Sequence, residues 1–327
     1  MKNLSPVLII FALGVFSCET VVDIDIPRND DRLVVNAILE EDSSIFLSIS
    51  KSRFSLSSQP IQNITGASAT LFEGDLAVAT LKDTVNSQLE EGWYHTDYRL
   101  KEDTPYRLEV TKEGFPPVAT QMRVPKAVPI ANLQFSSEPT SKIIFINNEP
   151  VELDGKRLTT IDLTIDDPPG KENYYEVVVF EDGVVQYLYE FDENDEPFIA
   201  GQQIGRFEAY LSTDDPVVST DEFIDGNNSF FGNSLVFSDE TFDGKRYTLS
   251  MNYEGSTGFS LDPFGNYLFF LRSISREQYL YIKSLELQRE TEGNPFAEPV
   301  PVYNNIIGGY GIFVGFSHDS RRIKLVE

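Results

Sequence analysis

From Ile45 to Ser50 the chain alternates: Ile45, Leu47 and Ile49 fall on one parity, and Phe46, Ser48 and Ser50 on the other. A period of two lets one face of a strand pack while the other stays wet. Similar turn-bounded runs, rich in β-branched and aromatic residues, occupy 33–39, 67–73, 76–82, 106–112 and 118–124. With 45–51 they predict a β-sandwich of immunoglobulin-like or transthyretin-like type. Pro125, Pro129 and the polar stretch 136–141 then break the pattern. Proline has no N–H for a ladder, so a domain boundary is expected near residue 129, with a sandwich over 32–128 and a second domain over 129–327.

Beyond that boundary the runs 159–165, 174–180, 184–189, 205–211, 234–237, 246–252 and 267–271 continue in strand style. A helix is predicted over about 275–290. Ser275 followed by Gln278 fits a capping box, Tyr279, Ile282 and Leu285 recur at helical spacing, and Gly293 and Pro295 stop it. The expected fold class is mainly β, an N-terminal sandwich followed by a β-rich domain with one packed helix near its C-terminus. The 24 Phe and 15 Tyr against 3 Met agree, because aromatic residues favour pleated, half-buried surfaces.

The first residues obey neither period. Lys2 precedes a mostly apolar run, 4–16, which ends on Ser17-Cys18. That order is a signal peptide over 1–17, and the run falls short of the roughly 20 apolar residues that a spanning helix needs. Cys18 is the only cysteine, so no intrachain disulfide can form. Val15-Phe16-Ser17-Cys18 resembles a lipobox, which would make Cys18 the lipidated first residue of the mature chain and 18–31 an acidic tether. The protein is then expected to be anchored to a membrane rather than to span it.

Charge narrows the partners. Asp and Glu number 52 against 26 Lys and Arg, giving −26, and no basic cluster tracks a phosphate backbone. Nucleic acid is excluded as a partner on that ground. His95 and His318 are the two histidines and neither has metal-ligand spacing. His318-Asp319-Ser320 has the residue types of a triad, but neighbours on a strand point apart. No G-x-S-x-G elbow is present, and Gly309-Tyr310-Gly311 with Gly315 opens no βαβ unit. No cofactor is expected. Asp192, Asn194 and Glu196 have the alternate oxygen rhythm of a calcium loop, yet Pro197 stands where an EF-hand requires glycine, leaving an irregular calcium site or a solvated hairpin tip. Trp93 and Tyr94 could stack a carbohydrate, or could simply belong to the core. Paired carboxylates for glycoside hydrolysis are defined by separation in space and cannot be read from abundance.

Several longer stretches carry a family resemblance. They are Ser273-Ile274-Ser275-Arg276-Glu277-Gln278-Tyr279, Asn294-Pro295-Phe296-Ala297-Glu298-Pro299-Val300 and Tyr303 to Phe313, preceded by Leu33-Val34-Val35, Gly66-Ala67, Pro105 to Val110, Val124-Pro125, Phe237-Ser238-Asp239 and Phe242-Asp243-Gly244. Together they resemble the Bacteroidota lipoprotein family known as domain of unknown function 4249, over nearly the whole mature chain. The resemblance implies an outer-membrane, cell-surface-facing lipoprotein that accompanies a TonB-dependent barrel, in substrate capture or complex structure. It carries no catalytic residue over, and only Cys18 inherits a role. Glu19, Asp23 and Asp25 resemble the surface-export signals of such proteins, and Asp83-Thr84-Val85 resembles their O-glycosylation signal, at Thr84. The expectation is a non-enzymatic accessory. Its rivals are a structural subunit of a barrel-assembly or export machine and a surface glycan-active hydrolase with paired carboxylates.

Overall fold

The computed structural model describes residues 30–54, 57–84, 91–146, 149–191, 197–218, 230–254, 266–291, 298 and 300–324. Leu33, Val35, Ala37 and Leu39 are buried along β1 (Leu33–Glu40) and Ile45, Leu47 and Ile49 along β2 (Ser44–Lys51), with the other parity more exposed. There follow β3 (Ser68–Glu73), β4 (Leu76–Asp83), β5 (Trp93–Arg99), β6 (Pro105–Thr111) and β7 (Val118–Arg123). Past residue 129 come the longer β8 (Ile130–Ile146), β9 (Glu149–Asp166), β10 (Tyr174–Phe191) and β11 (Pro197–Glu208), and the shorter β12 (Tyr210–Thr213), β13 (Phe230–Gly232) and β14 (Ser234–Ser238). The chain closes with β15 (Arg246–Glu254), β16 (Asn266–Ile274), α1 (Arg276–Thr291) and β17 (Tyr310–Lys324).

One sheet of 12 strands runs β11-β10-β16-β17-β1-β2-β5-β4-β3-β6-β7, with β14 also paired to β10. A second, of 5 strands, runs β13-β12-β15-β9-β8. The pivot of the molecule is β17. Its first half lies parallel to β1, from Val34 opposite Tyr310 to Glu40 opposite Phe316, and its second half antiparallel to β16, from Ile274 opposite Phe316 to Asn266 opposite Lys324. The strands from β1 to β7 curl until Ala119 of β7 bridges Ile307, just ahead of β17. That closure encloses the first core, which includes Leu47, Ile49, Tyr94, Tyr106 and Phe313. The second core is a sandwich: Tyr175, Val177, Phe237, Phe269 and Leu271 of the large sheet face Ile161, Leu163, Leu249 and Met251 of the small one. The mainly β architecture, with one helix among the described residues, is as the sequence suggested.

The segment joining the bodies is strapped down by hydrogen bonds. Ala127 N donates to Glu102 Oε1 (2.8 Å), Val128 N to Ser273 Oγ (3.1 Å) and Ile130 N to Asp319 Oδ2 (2.9 Å), while Arg321 donates to the Ile130 carbonyl (3.3 Å). Val124 lies in the first core and Val128 in the second, so the cores part close to residue 129. Yet Ile306 and Phe313 also lie in the first core, so a cut at 129 leaves the C-terminal return out of the sandwich it completes.

The helix starts where the capping residues place it. Gln278 N donates to Ser275 Oγ (3.2 Å) and Tyr279 N to the Ser275 carbonyl (3.0 Å). The reciprocal half of the box is missing, since Gln278 Oε1 is buried without a hydrogen-bond partner. Tyr279 and Ile282 pack against Val236, Ile274 and Phe316, laying the helix on the outer face of the large sheet.

Candidate functional site: the cleft between the cores

The strap, β6 and β7 on one side, and the turn 167–173 with the start of α1 on the other, enclose a cleft of about 1030 Å³. That is the size of a generous small-molecule site. Five prolines, Pro105, Pro125, Pro129, Pro168 and Pro169, stiffen its walls, and Tyr106 and Tyr174 line it. Its cations are Arg107, Arg123, Lys126, Lys171 and Arg276, and its acids Asp75, Asp103, Asp166, Glu172 and Glu277. A balanced lining is unusual in a chain of net charge −26.

Several of those groups are already engaged. Arg123 pairs with Asp103 at 3.1 Å. Arg246 grips Asp166 with two bonds of 2.7 and 2.9 Å, and those bonds hold the Asp166 carboxyl below its usual range. Tyr174 OH donates to Glu172 (2.6 Å), and burial, then that carboxylate, push the phenol up to about 12. Ser273 Oγ accepts from the strap and Ser275 caps the helix, so both lining hydroxyls serve the fold. Neither His nor Cys is among the residues that line the cleft.

Behind the cleft, a buried network fixes the 167–173 turn. Tyr175 OH donates to Asp167, Gly244 N donates to Asp167 Oδ2 (2.8 Å), and Asn173 Nδ2 bridges Asp167 Oδ1 (3.3 Å) and Asp239 Oδ2 (3.0 Å). Gly170 N donates to Asp243 (2.9 Å). Asp167 and Asp239 are only 5% and 1% exposed. Burial pushes the Asp239 carboxyl up, and burial followed by the Asp167 carboxylate pushes the Tyr175 phenol far up. Oxygens of Asp167, Asp239 and Asp243 lie within 4.8 Å of one another, a spacing a hard cation could bridge. The hydrogen bonds already made account for these carboxylates as turn-holding groups.

The residues singled out from sequence disperse. Tyr94 is fully buried, donating to the Ile64 carbonyl and accepting from Ala67 N, each at 2.9 Å, so its ring has no face for a sugar. Trp93, one position earlier, is half-buried on the outer face opposite Ser48. The ring pair beside it is Phe46 with His95, centroids 4.4 Å apart. Thr84 is half-buried, its hydroxyl donating to the Lys82 carbonyl at 3.2 Å. His318 pairs with Glu40 at 3.1 Å while Asp319 holds the strap from the opposite face, so the triad types do point apart. Cys18 and the loop Asp192, Asn194, Glu196 lie outside the described residues. Sequence reasoning missed Asp167, Asn173 and Asp239. The signal was Pro168-Pro169-Gly170 set against Asp239 and Asp243-Gly244, glycine-bearing turns with acids beside them.

A comparison with curated proteins finds no match. Among solved structures, the crystal structure of Salmonella alpha-2-macroglobulin reacted with methylamine is 10% identical, with a TM-score of 0.25, covering 93% of this chain and 15% of that one. The chain thus spans about 15% of that protein's length, a likeness too slight to carry an argument. The model of the family described as domain of unknown function, DUF4249, matches residues 19–322. The chain therefore belongs to the DUF4249 family.

Proposed function

We propose that this protein is a lipid-anchored, surface-facing accessory of a Bacteroidota outer-membrane barrel, a TonB-dependent transporter, and that it captures a small ligand in the interdomain cleft. The observation that carries the reading is the cleft itself: roomy, walled by prolines, spanned by the strap's hydrogen bonds, and lined by charged groups of both signs. The anchoring part rests on Cys18 behind its apolar run, with the family match starting at the next residue. No helix among the described residues is long and apolar enough to cross a membrane.

A hydrolase with paired carboxylates needs one acid held protonated near neutrality. Asp166, in the cleft lining, is pulled the other way by Arg246, while Asp239, which burial does push up, is held by Asn173 in the turn network behind the cleft. Affinity purification of the tagged chain from its own outer membrane in mild detergent tests the partner. A stoichiometric TonB-dependent transporter supports capture, assembly machinery in its place transfers the protein to the structural-subunit reading, and recovery alone defeats both. Cys18→Ala is expected to move the protein from the detergent phase to the aqueous phase, and retention in detergent would sink the anchor.

A further inference from the structure

We infer that the ligand captured in the cleft is a short peptide, bound in extended form as one more strand along the free edge of β7. The inference rests on the capture reading and deepens it by giving the ligand a chemical class. In an antiparallel pair the backbone groups of alternate residues point toward the partner strand, and those of the residues between point away. In β6 the Pro105 carbonyl accepts from Gly74 N, at the end of β3 (3.2 Å). Pro105, Arg107 and Glu109 therefore turn toward β3, and Tyr106, Leu108 and Val110 toward β7. Their partners Met122, Thr120 and Val118 supply the inner groups of β7. The backbone N–H and C=O of Ala119, Gln121 and Arg123 face the other way, off the last strand of the large sheet.

Ala119 shows what this edge accepts. Its N–H donates to the Ile307 carbonyl (3.1 Å) and its carbonyl accepts from Ile307 N (2.8 Å), a strand pair one residue long made by the chain's own C-terminal return. The return then leaves the edge. An antiparallel continuation would set Asn305 against Gln121, but the Asn305 side chain is spent on Phe313, accepting from its N–H (2.9 Å) and donating to its carbonyl (2.8 Å). Gln121 and Arg123 thus keep two donors and two acceptors with no partner on this side among the described residues, and both residues line the cleft. Pro125, which has no N–H, ends the edge.

The pattern names its complement. Donor and acceptor recur along the edge every second residue, about 6.8 Å apart, and an extended backbone repeats its own acceptor and donor at that interval. The free edges of β8 and β11 contain proline, Pro139 and Pro197, which blunts strand addition, whereas β7 contains none. The charges agree with a peptide as well. Arg123 is paired with Asp103 and Asp166 with Arg246. Of the remaining lining groups, Lys126 and Lys171 have no carboxylate partner among the described residues, and Asp75 and Glu277 have no cation. Two free charges of each sign suit a ligand that is positive at one end and negative at the other, as a peptide with free termini is.

The test is affinity selection with the full chain purified from its own outer membrane. One library holds tetrapeptides with free termini, and a second holds the same sequences N-methylated at every amide, which keeps the end charges and removes the backbone donors. Mass spectrometry identifies what each library leaves bound, and separately what the untreated chain releases on heat denaturation. The first library is expected to be retained and the second to bind about tenfold more weakly or worse, the worth of one or two hydrogen bonds. Gln121→Pro deletes an outward donor and spares the ladder to β6, so it is expected to weaken peptide retention about tenfold with thermal unfolding unchanged. Should that variant unfold, the methylated library decides on the wild type alone. Equal retention of both libraries, or a folded Gln121→Pro that keeps its peptides, overturns the strand pairing. A wild type that retains no peptide yet releases another small molecule overturns the peptide and leaves capture standing, and one that does neither overturns both.

Discussion

The two cores each bury a tyrosine completely, and they satisfy its hydroxyl in different ways. In the first core Tyr94 is met by backbone alone, the Ile64 carbonyl and Ala67 N. In the second Tyr175 is met by a carboxylate, Asp167, which is itself held by Gly244 N and by Asn173 alongside Asp239. Backbone partners are neutral and fixed by the strands that carry them. A buried carboxylate has to be kept ionised or hydrogen-bonded by everything around it. The first core is therefore closed on itself, while the second carries its polar network at the wall of the cleft.

The comparison is broken most severely through β17, which both cores share. Phe313→Ala in the first core and Phe269→Ala in the second each empty a fully buried site and are expected to cost about 3–5 kcal/mol. Because β17 pairs with β1 and β16 alike, either substitution should shift a single unfolding transition, read by calorimetry. Two separated transitions, only one of which moves, would mean the cores are independent and the strap is no more than a link.

The next effect divides the tyrosines. Asp167→Ala leaves Tyr175 OH and Gly244 N without their acceptor and should cost about 2–3 kcal/mol, against about 1 kcal/mol for Tyr94→Phe, where a neutral bond is lost. Chemical denaturation of the two variants checks the ranking, and an equal loss would erase the contrast between the networks. Smaller again is Ser275→Ala, which removes the helix cap at the cleft rim at about 1 kcal/mol, with the loss appearing in helical ellipticity before the strands melt.

The first core was the more legible of the two. Period-two runs in β1, β2, β3, β6 and β7 match strands almost residue for residue, because one face of each is buried and the other wet. β5 escaped, since Trp93 to Arg99 mixes aromatic and charged residues on both parities. β17 escaped for a different reason: Gly309, Gly311 and Gly315 interrupt its run of β-branched and aromatic residues. In the fold they permit close approach, since a Cβ on Gly311 would collide with the Val35 carbonyl and one on Gly315 would sit 3.0 Å from Val124. β8 was hidden by Pro139 and the polar run about it, although the strand continues through it. The cleft had no sequence signature at all, for it is lined from five separate stretches that only β17 and the strap bring together.

The finest distinction is a slope rather than a shift. Burial raises the Asp239 carboxyl above its unfolded value, so between those two values the folded chain binds more protons than the unfolded one. The sign follows directly: the contribution is fully present below the unfolded value, near pH 4, and is lost as pH rises through the folded one. Asp239→Asn cannot titrate, yet its amide oxygen can still accept from Asn173 Nδ2. Stability measured by denaturant midpoint should therefore fall with rising pH more steeply in the wild type than in Asp239→Asn across the acid range, the difference belonging to Asp239 together with its neighbours Asp167 and Asp243. Tyr94→Phe, treated alike, should leave the wild-type slope unaltered over that range, because its partners carry no proton to lose. If the Asn variant kept the full slope, the pH response would have to come from elsewhere, and the second core's network would be as silent as the first's.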